Sequence, residues 1–149
     1  MKENQVCFYW KMFRSYEHKG EDMILGMDLA EWINYDIKKV DKLVEPVDQP
    51  FKIKKKLKTD NQEKEQWLLS IPGVIMAIEN AETPIAKILT KFMRCTTEAY
   101  EIFGERVEKV ELYILLRAIK ENPELEEKVV TDLGYQKGTE GIDNIMHQH

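Results

Sequence analysis

The segment TPIAKILTKFMRCTTEAYEIFG, residues 83–104, decides the predicted fold, because it carries the clearest helical signals in the chain. Thr83 and Pro84 are typical of a helix start, with a capping hydroxyl followed by a proline in the first turn. Gly104 is placed to end the helix in the left-handed conformation. Between them, apolar residues recur on one helical face. This apolar stripe comprises Ile85, Ile88, Leu89, Phe92, Met93, Tyr100 and Phe103.

The residues that follow repeat the same start and stop signals. A helix is predicted over Glu105–Glu121, and its centre, Leu112–Leu116, is apolar nearly all round, as in a deeply buried element. An asparagine and a proline then start a further helix over Pro123–Leu133, which stops at Gly134. Residues 135–149 have few apolar anchors, and we expect them to form a loose tail.

Shorter elements precede the long helix. Val74–Asn80 is predicted to be a short apolar helix, and Asp60 or Asn61 is placed to cap another that ends at Leu69. Phe51–Lys58 has apolar residues at alternate positions, as in a strand with one buried face. Its many lysines predict an edge strand, because charge there discourages unwanted pairing with other strands.

The N-terminal third mixes strand and helix signals. Val6–Phe13 is aromatic and β-prone, a polar stretch at Ser15–Asp22 can turn the chain, and Met23–Met27 can return as a second strand. This pattern favours a hairpin over a short amphipathic helix. Asp28–Glu31 has the spacing of a capping box, which predicts a helix that starts there and ends before Pro46.

Together these elements predict a mainly α fold, a bundle of five or six helices with a small N-terminal β element. A chain of 149 residues suits one domain over 1–149. Within it, we expect 1–60 to hold the hairpin, the first helix and the lysine-rich edge strand. The helical core then covers 61–134, and the flexible tail covers 135–149.

Composition and charge exclude some classes of function. The net charge of −5 provides no long-range attraction to nucleic acid, so any such contact needs a local basic patch. The apolar runs are far too short to cross a bilayer, and the first residues lack the apolar region of a signal peptide. Cys7 and Cys95 lie in apolar neighbourhoods, as buried reduced thiols do. The sequence therefore predicts cytoplasmic residence and no membrane contact.

The lysine cluster of the predicted edge strand is one candidate contact surface. It comprises Lys52, Lys54, Lys55, Lys56 and Lys58. Such a cluster can neutralise phosphates, but Phe51 and Ile53 beside it form no convincing stacking platform for bases. A solvated strand edge is the commoner reason for such a run. An acidic protein partner is as compatible with it as nucleic acid.

A surplus of large apolar groups near the N-terminus is a second candidate. Phe8, Tyr9, Trp10, Met12 and Phe13 are more than one strand face can bury. Core packing is the commoner explanation for such a surplus. Large aromatic side chains are also typical anchors of protein interfaces. Tyr9, Trp10 and Phe13 are therefore predicted to contact a protein partner or a second copy of the chain.

The segment Lys128–Thr139 resembles the first helix and turn of a helix-turn-helix DNA-binding unit, whose second helix enters the major groove. This resemblance implies a DNA reader within 126–145. Glu140 departs from it, because the motif places a buried apolar residue there. Gly138 and Gly141 also weaken the second helix, by roughly 1 kcal/mol each relative to alanine.

Acidic and histidine residues provide weaker signs of chemistry. Glu105, Glu108 and Glu111 recur at every third position of one predicted helix. Helical nucleotide-processing enzymes hold magnesium with carboxylates from facing helices, and no dense second cluster is found on a neighbouring predicted helix. Successive residues at this spacing diverge around the helix, because three residues fall short of a full turn. His147 and His149 lie in the predicted tail, so no Ser/His/Asp or Cys/His arrangement is expected, and no metal or cofactor is predicted.

These observations favour a small non-catalytic protein-binding factor, such as an adaptor, inhibitor or assembly factor, that occludes or bridges a partner. The predicted contact residues are Tyr9, Trp10, Phe13, Lys52, Lys54, Lys55 and Lys56. A small accessory protein of a phage or mobile element fits this description. The alternative is a helix-turn-helix-like DNA-binding regulator using 126–145, and the third reading is a metal-dependent nucleotide-processing enzyme.

Overall fold

A computed structural model describes residues 3–59, 61–103 and 119–132 of the chain. Its strands are β1 (Glu3–Phe8), β2 (Lys11–His18), β3 (Glu21–Leu25), β4 (Lys52–Thr59) and β5 (Gln62–Leu69). Its helices are α1 (Gly26–Trp32), α2 (Val40–Val44), α3 (Ile71–Asn80), α4 (Pro84–Phe103) and α5 (Pro123–Asp132), with 3-10 turns at Ile37–Lys39 and Gln49–Phe51. The chain divides into two compact units, Met1–Lys87 and Ile88–His149.

The first unit is built on a five-stranded antiparallel sheet, so the predicted helical bundle is wrong. The strand order is β1-β2-β3-β5-β4, which places β1 and β4 at the two edges. The central pairing, between β3 and β5, joins Ile24 to Leu69 and Leu25 to Leu68. The predicted edge strand is confirmed as β4.

The segment Gln62–Leu69 is the first source of the error, because the sequence predicts a helix where the chain forms β5. The β4–β5 register places Lys56 opposite Glu65 and Lys58 opposite Glu63. Cross-strand pairs of opposite charge stabilise a hairpin by about 0.2–1 kcal/mol each. Asn61 does not cap a helix but occupies the connecting turn, where its φ of 65° is one that asparagine tolerates.

The N-terminal β element is larger than the predicted hairpin. Where the sequence predicts one strand over Val6–Phe13, the chain turns at Tyr9 and Trp10 and forms two strands. A second tight turn, at Lys19 and Gly20, has positive φ at both residues, as a type I′ hairpin turn requires. The result is a three-stranded meander, β1-β2-β3.

The helix predicted from Asp28 to the residues before Pro46 is also wrong. α1 begins at Gly26 and ends at Trp32, where a left-handed Asn34 (φ 58°) terminates it. Asn34 N donates to Glu31 O, and Tyr35 N donates to Ala30 O, which together form a Schellman motif. The Asp28 side chain does not cap a helix but accepts hydrogen bonds from Arg14.

Helix starts marked by a hydroxyl or amide before a proline are confirmed. Thr83 Oγ1 accepts from Ala86 N at the start of α4, and α5 begins at Pro123. The short helix predicted over Val74–Asn80 is α3, which starts earlier because Ser70 Oγ accepts from Gly73 N. The predicted helix over Glu105–Glu121, the stop at Gly104 and the tail 135–149 lie largely or wholly outside the described residues.

Both faces of the sheet carry apolar side chains. One face presents a buried cluster: Tyr16, Met23, Leu25, Leu57 and Leu68, with Met27 and Ile53 packed against it. On β2, Phe13 points to the opposite face, because strand side chains alternate, and it meets Trp32 of α1. In the second unit, the buried apolar residues of α4 and α5 include Leu89, Phe92, Met93, Leu125 and Val129.

Candidate interaction surface

The lysines of the edge strand β4 divide into two sets by the face on which they lie. Lys52, Lys54, Lys56 and Lys58 share one face, since side chains alternate along a strand. Lys55 lies on the other face, opposite Gln66 of β5, and is half-buried. Lys54, Lys56 and Lys58 are exposed, so the first face of the strand is the basic one.

The backbone of β4 adds a second property to the same residues. Ser70 N donates to Phe51 O across 3.0 Å, which marks these two residues as a hydrogen-bonded pair in the β4–β5 register. Hydrogen-bonded and non-hydrogen-bonded pairs alternate along an antiparallel ladder. The N–H and C=O groups that point away from β5 therefore belong to Lys52, Lys54, Lys56 and Lys58. The four residues that line the basic face also line the outer edge of the sheet.

Two of these lysines are anchored to the protein. Lys52 Nζ donates to Val44 O at 2.9 Å and to Glu45 O at 3.2 Å, so it satisfies carbonyls at the end of α2. It also lies 5.6 Å from the ring centroid of Trp67. Lys54 Nζ lies 5.4 Å from the same ring and 4.0 Å from a carboxylate oxygen of Asp41. Both ammonium groups are within reach of a cation–π attraction to one indole.

Trp67 belongs to this surface, although the sequence pattern did not predict it. It lies opposite Lys54 on the basic face, and its Nε1 donates to Asp41 Oδ1 of α2 at 2.6 Å. The indole therefore ties α2 to the β4–β5 hairpin. The sequence does show a tryptophan at the apolar end of a charged segment. Its place beside the lysines follows only if that segment is a strand, because alternate residues of a strand share a face.

Lys56 and Lys58 are the two exposed lysines of the basic face that do not anchor β4 to Trp67 or α2. Among the residues that the structure describes, none forms an ion pair with either lysine, and Glu65 approaches Lys54 instead, at 4.0 Å. The register nevertheless places Glu65 and Glu63 directly opposite them. The basic edge, defined here as Lys54, Lys56 and Lys58 of β4, thus combines exposed ammonium groups with outward-facing backbone groups.

The predicted aromatic contact residues lie in a packed cluster around Trp32. The ring centroids of Trp10 and Phe13 lie 5.7 Å and 5.4 Å from that of Trp32, both in edge-to-face geometry. Phe13 is 1% exposed and Trp10 is 9% exposed, whereas Tyr9 is half-buried beside Phe8. Such aromatic pairs stabilise a core by about 0.5–1.5 kcal/mol beyond their burial. Trp10 and Phe13 serve the core, and a partner contact through them stays a prediction.

A polar cluster on the other face of β2 is structural in character. Arg14 Nε donates to Asp28 Oδ2 at 2.9 Å, and Arg14 Nη2 donates to Asp28 Oδ1 at 2.7 Å. This bidentate pair joins β2 to α1. Nearby, Tyr16 Oη donates to Glu3 Oε1 at 3.4 Å. Burial, reinforced by the negative charge of Glu3, raises the pKa of Tyr16 above its ordinary value.

The remaining candidates for chemistry fall largely beyond the described residues. Within 3–59, 61–103 and 119–132, no group of three or more acidic, histidine or cysteine side chains is arranged to hold a metal ion. Glu105, Glu108, Glu111, His147 and His149 lie outside those ranges. Of the predicted DNA reader over 126–145, the structure describes the residues up to Asp132, which end α5.

None of the helices in the described ranges combines the length and the apolar character needed to cross a membrane. Comparison with known proteins finds no matching family model, no similar curated protein and no solved structure of similar fold.

Proposed function

We propose that this chain is a non-catalytic protein-binding factor that occludes or bridges an acidic protein partner through the basic edge. One observation carries the proposal: the exposed lysine side chains and the outward-facing backbone groups belong to the same residues of an edge strand. A sheet edge offers unpaired N–H and C=O groups to another chain, and the lysines select which chains approach.

The division among the lysines supports this use of the strand. Lys52 and Lys54 fix the position of β4 against Trp67 and α2, so the strand that presents Lys56 and Lys58 is held in place before a partner arrives. A preorganised surface loses less conformational entropy on binding. Lysines on an edge strand repel basic strands, and pairing with a neutral strand leaves their charges without partners. Both effects make the surface selective for acidic partners.

The test is capture of the partner by the full-length chain from extracts of its native host. The variant K56Q/K58Q removes both charges and keeps a polar side chain with an unbranched aliphatic stem, whereas K38Q/K39Q makes the same change at two exposed lysines of the 3-10 turn and serves as the matched control. We expect a stoichiometric protein partner that wild type and K38Q/K39Q retain and that K56Q/K58Q loses, with unchanged circular dichroism for all three. Full retention by K56Q/K58Q contradicts the proposal, as does equal loss in both variants.

A further inference from the structure

We infer that the partner enters as an extended acidic segment that adds to the outer edge of β4 as an antiparallel strand, with a carboxylate at every second residue. This inference rests on the proposed function and specifies the chemistry and geometry of the bound segment. Strand addition supplies main-chain hydrogen bonds for affinity, and alternate side chains for specificity.

β5, the strand that already pairs with β4, indicates which side chains suit a second strand on the outer edge of β4. β5 presents Glu63 and Glu65 to the basic face, opposite Lys58 and Lys56, with Lys64 between them on the other face. A strand added on the outer side meets the same two lysines at the same two-residue interval. Carboxylates spaced by two on the outer side of β4 therefore repeat the placement of glutamates opposite lysines that the β4–β5 register has on the inner side.

The backbone geometry fixes the register of this pairing. Because the outward N–H and C=O groups belong to the even-numbered lysines, each of these residues forms a hydrogen-bonded pair with the residue opposite it on an added antiparallel strand. The acidic residues of the segment are then the ones whose own N–H groups point at β4. Antiparallel addition follows the sheet, in which all four pairings are antiparallel.

Two other occupants fit this edge poorly. A second copy of the chain, joined edge to edge through β4, places lysines against lysines, and like charges on adjacent strands are destabilising. A nucleic acid requires many phosphate contacts, whereas Lys52 and Lys54 are engaged by α2 and Trp67 and the net charge of the chain is −5. A nucleic acid also has no peptide backbone to pair with the outward N–H and C=O groups of β4 as an added strand does.

The test measures binding of fluorescent nine-residue peptides to the full-length protein by anisotropy. One probe alternates threonine and glutamate; the second has the same composition with its glutamates contiguous, so that net charge is matched. We expect the alternating peptide to bind at least threefold more tightly than the contiguous one. In K56Q/K58Q its affinity should fall about 2- to 30-fold, the range that two cross-strand charge pairs supply, while K38Q/K39Q binds as wild type.

Backbone involvement is tested with two N-methylated forms of the alternating peptide. Methylation at the glutamates removes the N–H groups that face β4 and should abolish binding, whereas methylation at the threonines affects groups that point away and should spare it. Equal or reversed effects overturn the inference. Equal binding of the alternating and contiguous peptides, or tighter binding of a single-stranded DNA oligonucleotide with the same lysine dependence, also overturns it.

The two proposals fail separately. If neither peptide binds but the captured native partner still depends on Lys56 and Lys58, the basic edge is a protein interface and only strand addition is wrong. If the peptides fail and capture is independent of both lysines, the proposed function fails as well. Thermal unfolding of each variant beside wild type verifies that a loss of binding reflects the surface and not the fold.

Discussion

The indole Nε1 of Trp67 donates a 2.6 Å hydrogen bond to Oδ1 of Asp41, and this contact joins the β4–β5 hairpin to α2. Both residues also contact Lys54, whose Nζ lies 5.4 Å from the centroid of the Trp67 ring and 4.0 Å from Asp41 Oδ1. The basic edge is therefore positioned by residues that do not belong to the lysine strand. Its stability and its binding can be tested separately, because Trp67 and Asp41 supply the anchoring contact, whereas Lys56 and Lys58 are the residues proposed to bind the partner.

Asp41→Ala should lower the free energy of unfolding by about 1 kcal/mol, since it removes the acceptor of the Trp67 hydrogen bond. Urea unfolding followed by circular dichroism measures this loss. Asp48→Ala is the matched control, because Asp48 is exposed and its side chain caps no helix. Equal stability of Asp41→Ala and Asp48→Ala would show that the indole contact does not hold α2.

The bidentate pair between Arg14 and Asp28 should have a measurable coupling energy. Its side chains are 31% and 16% exposed, so solvent screens the pair only in part. A double-mutant cycle with Arg14→Met and Asp28→Asn is expected to give about 1–2 kcal/mol. The control is the exposed pair of Lys87 and Glu82, for which the same cycle should give less than about 0.5 kcal/mol. A coupling no larger than that of the control pair contradicts a structural role.

Phe13→Ala should destabilise the fold by about 3–5 kcal/mol, because it opens a cavity beside Trp32 in the aromatic cluster. Met12→Ala, at the adjacent position, should change stability by less than about 0.5 kcal/mol, since Met12 is 52% exposed. Chemical denaturation of both variants makes the comparison. If Phe13→Ala has normal stability but no longer binds the partner, Phe13 belongs to an interface and not to the core.

Stability should fall as pH rises above about 10, in part because of Tyr16. Burial raises the pKa of Tyr16 above its unfolded value of 10.0, so the folded state holds the phenolic proton more tightly than the unfolded chain does. The stabilisation is complete below the unfolded pKa and is lost as pH rises through the folded pKa. Tyr16→Phe should flatten this part of the curve in urea unfolding at successive pH values. An unchanged slope in Tyr16→Phe would contradict the assignment to Tyr16.

Local signals in the sequence predicted the local features of the fold. Thr83 with Pro84, and Asn122 with Pro123, mark helix starts because a capping group and a proline act within a single turn. Phe51–Lys58 was predicted as an edge strand because its apolar residues alternate and it carries many lysines. Both properties can be seen within one short segment, without knowledge of its neighbours. The lysines of the candidate surface were found in the same way.

Other features depend on residues far apart in the chain. The turn at Tyr9 and Trp10 contains none of the residues that mark tight turns, and Phe8 and Trp10 on either side of Tyr9 both lie against Trp32, which belongs to α1. Asp28 has the spacing of a helix cap but binds Arg14 of β2. In both cases a contact with a distant element overrides a short-range preference.

What the sequence by itself determined is the set of helix starts and the basic, edge-forming character of β4, because these arise between residues a few positions apart. Only the tertiary structure decided that Gln62–Leu69 is a strand, that a five-stranded sheet forms the first unit, and that Trp67 and Asp41 hold the lysine strand in place. The physical reason is that a segment of mixed charge is compatible with helix and strand alike. Its conformation is settled by pairing with β3 and β4, which buries Leu68 and Leu69 in the sheet.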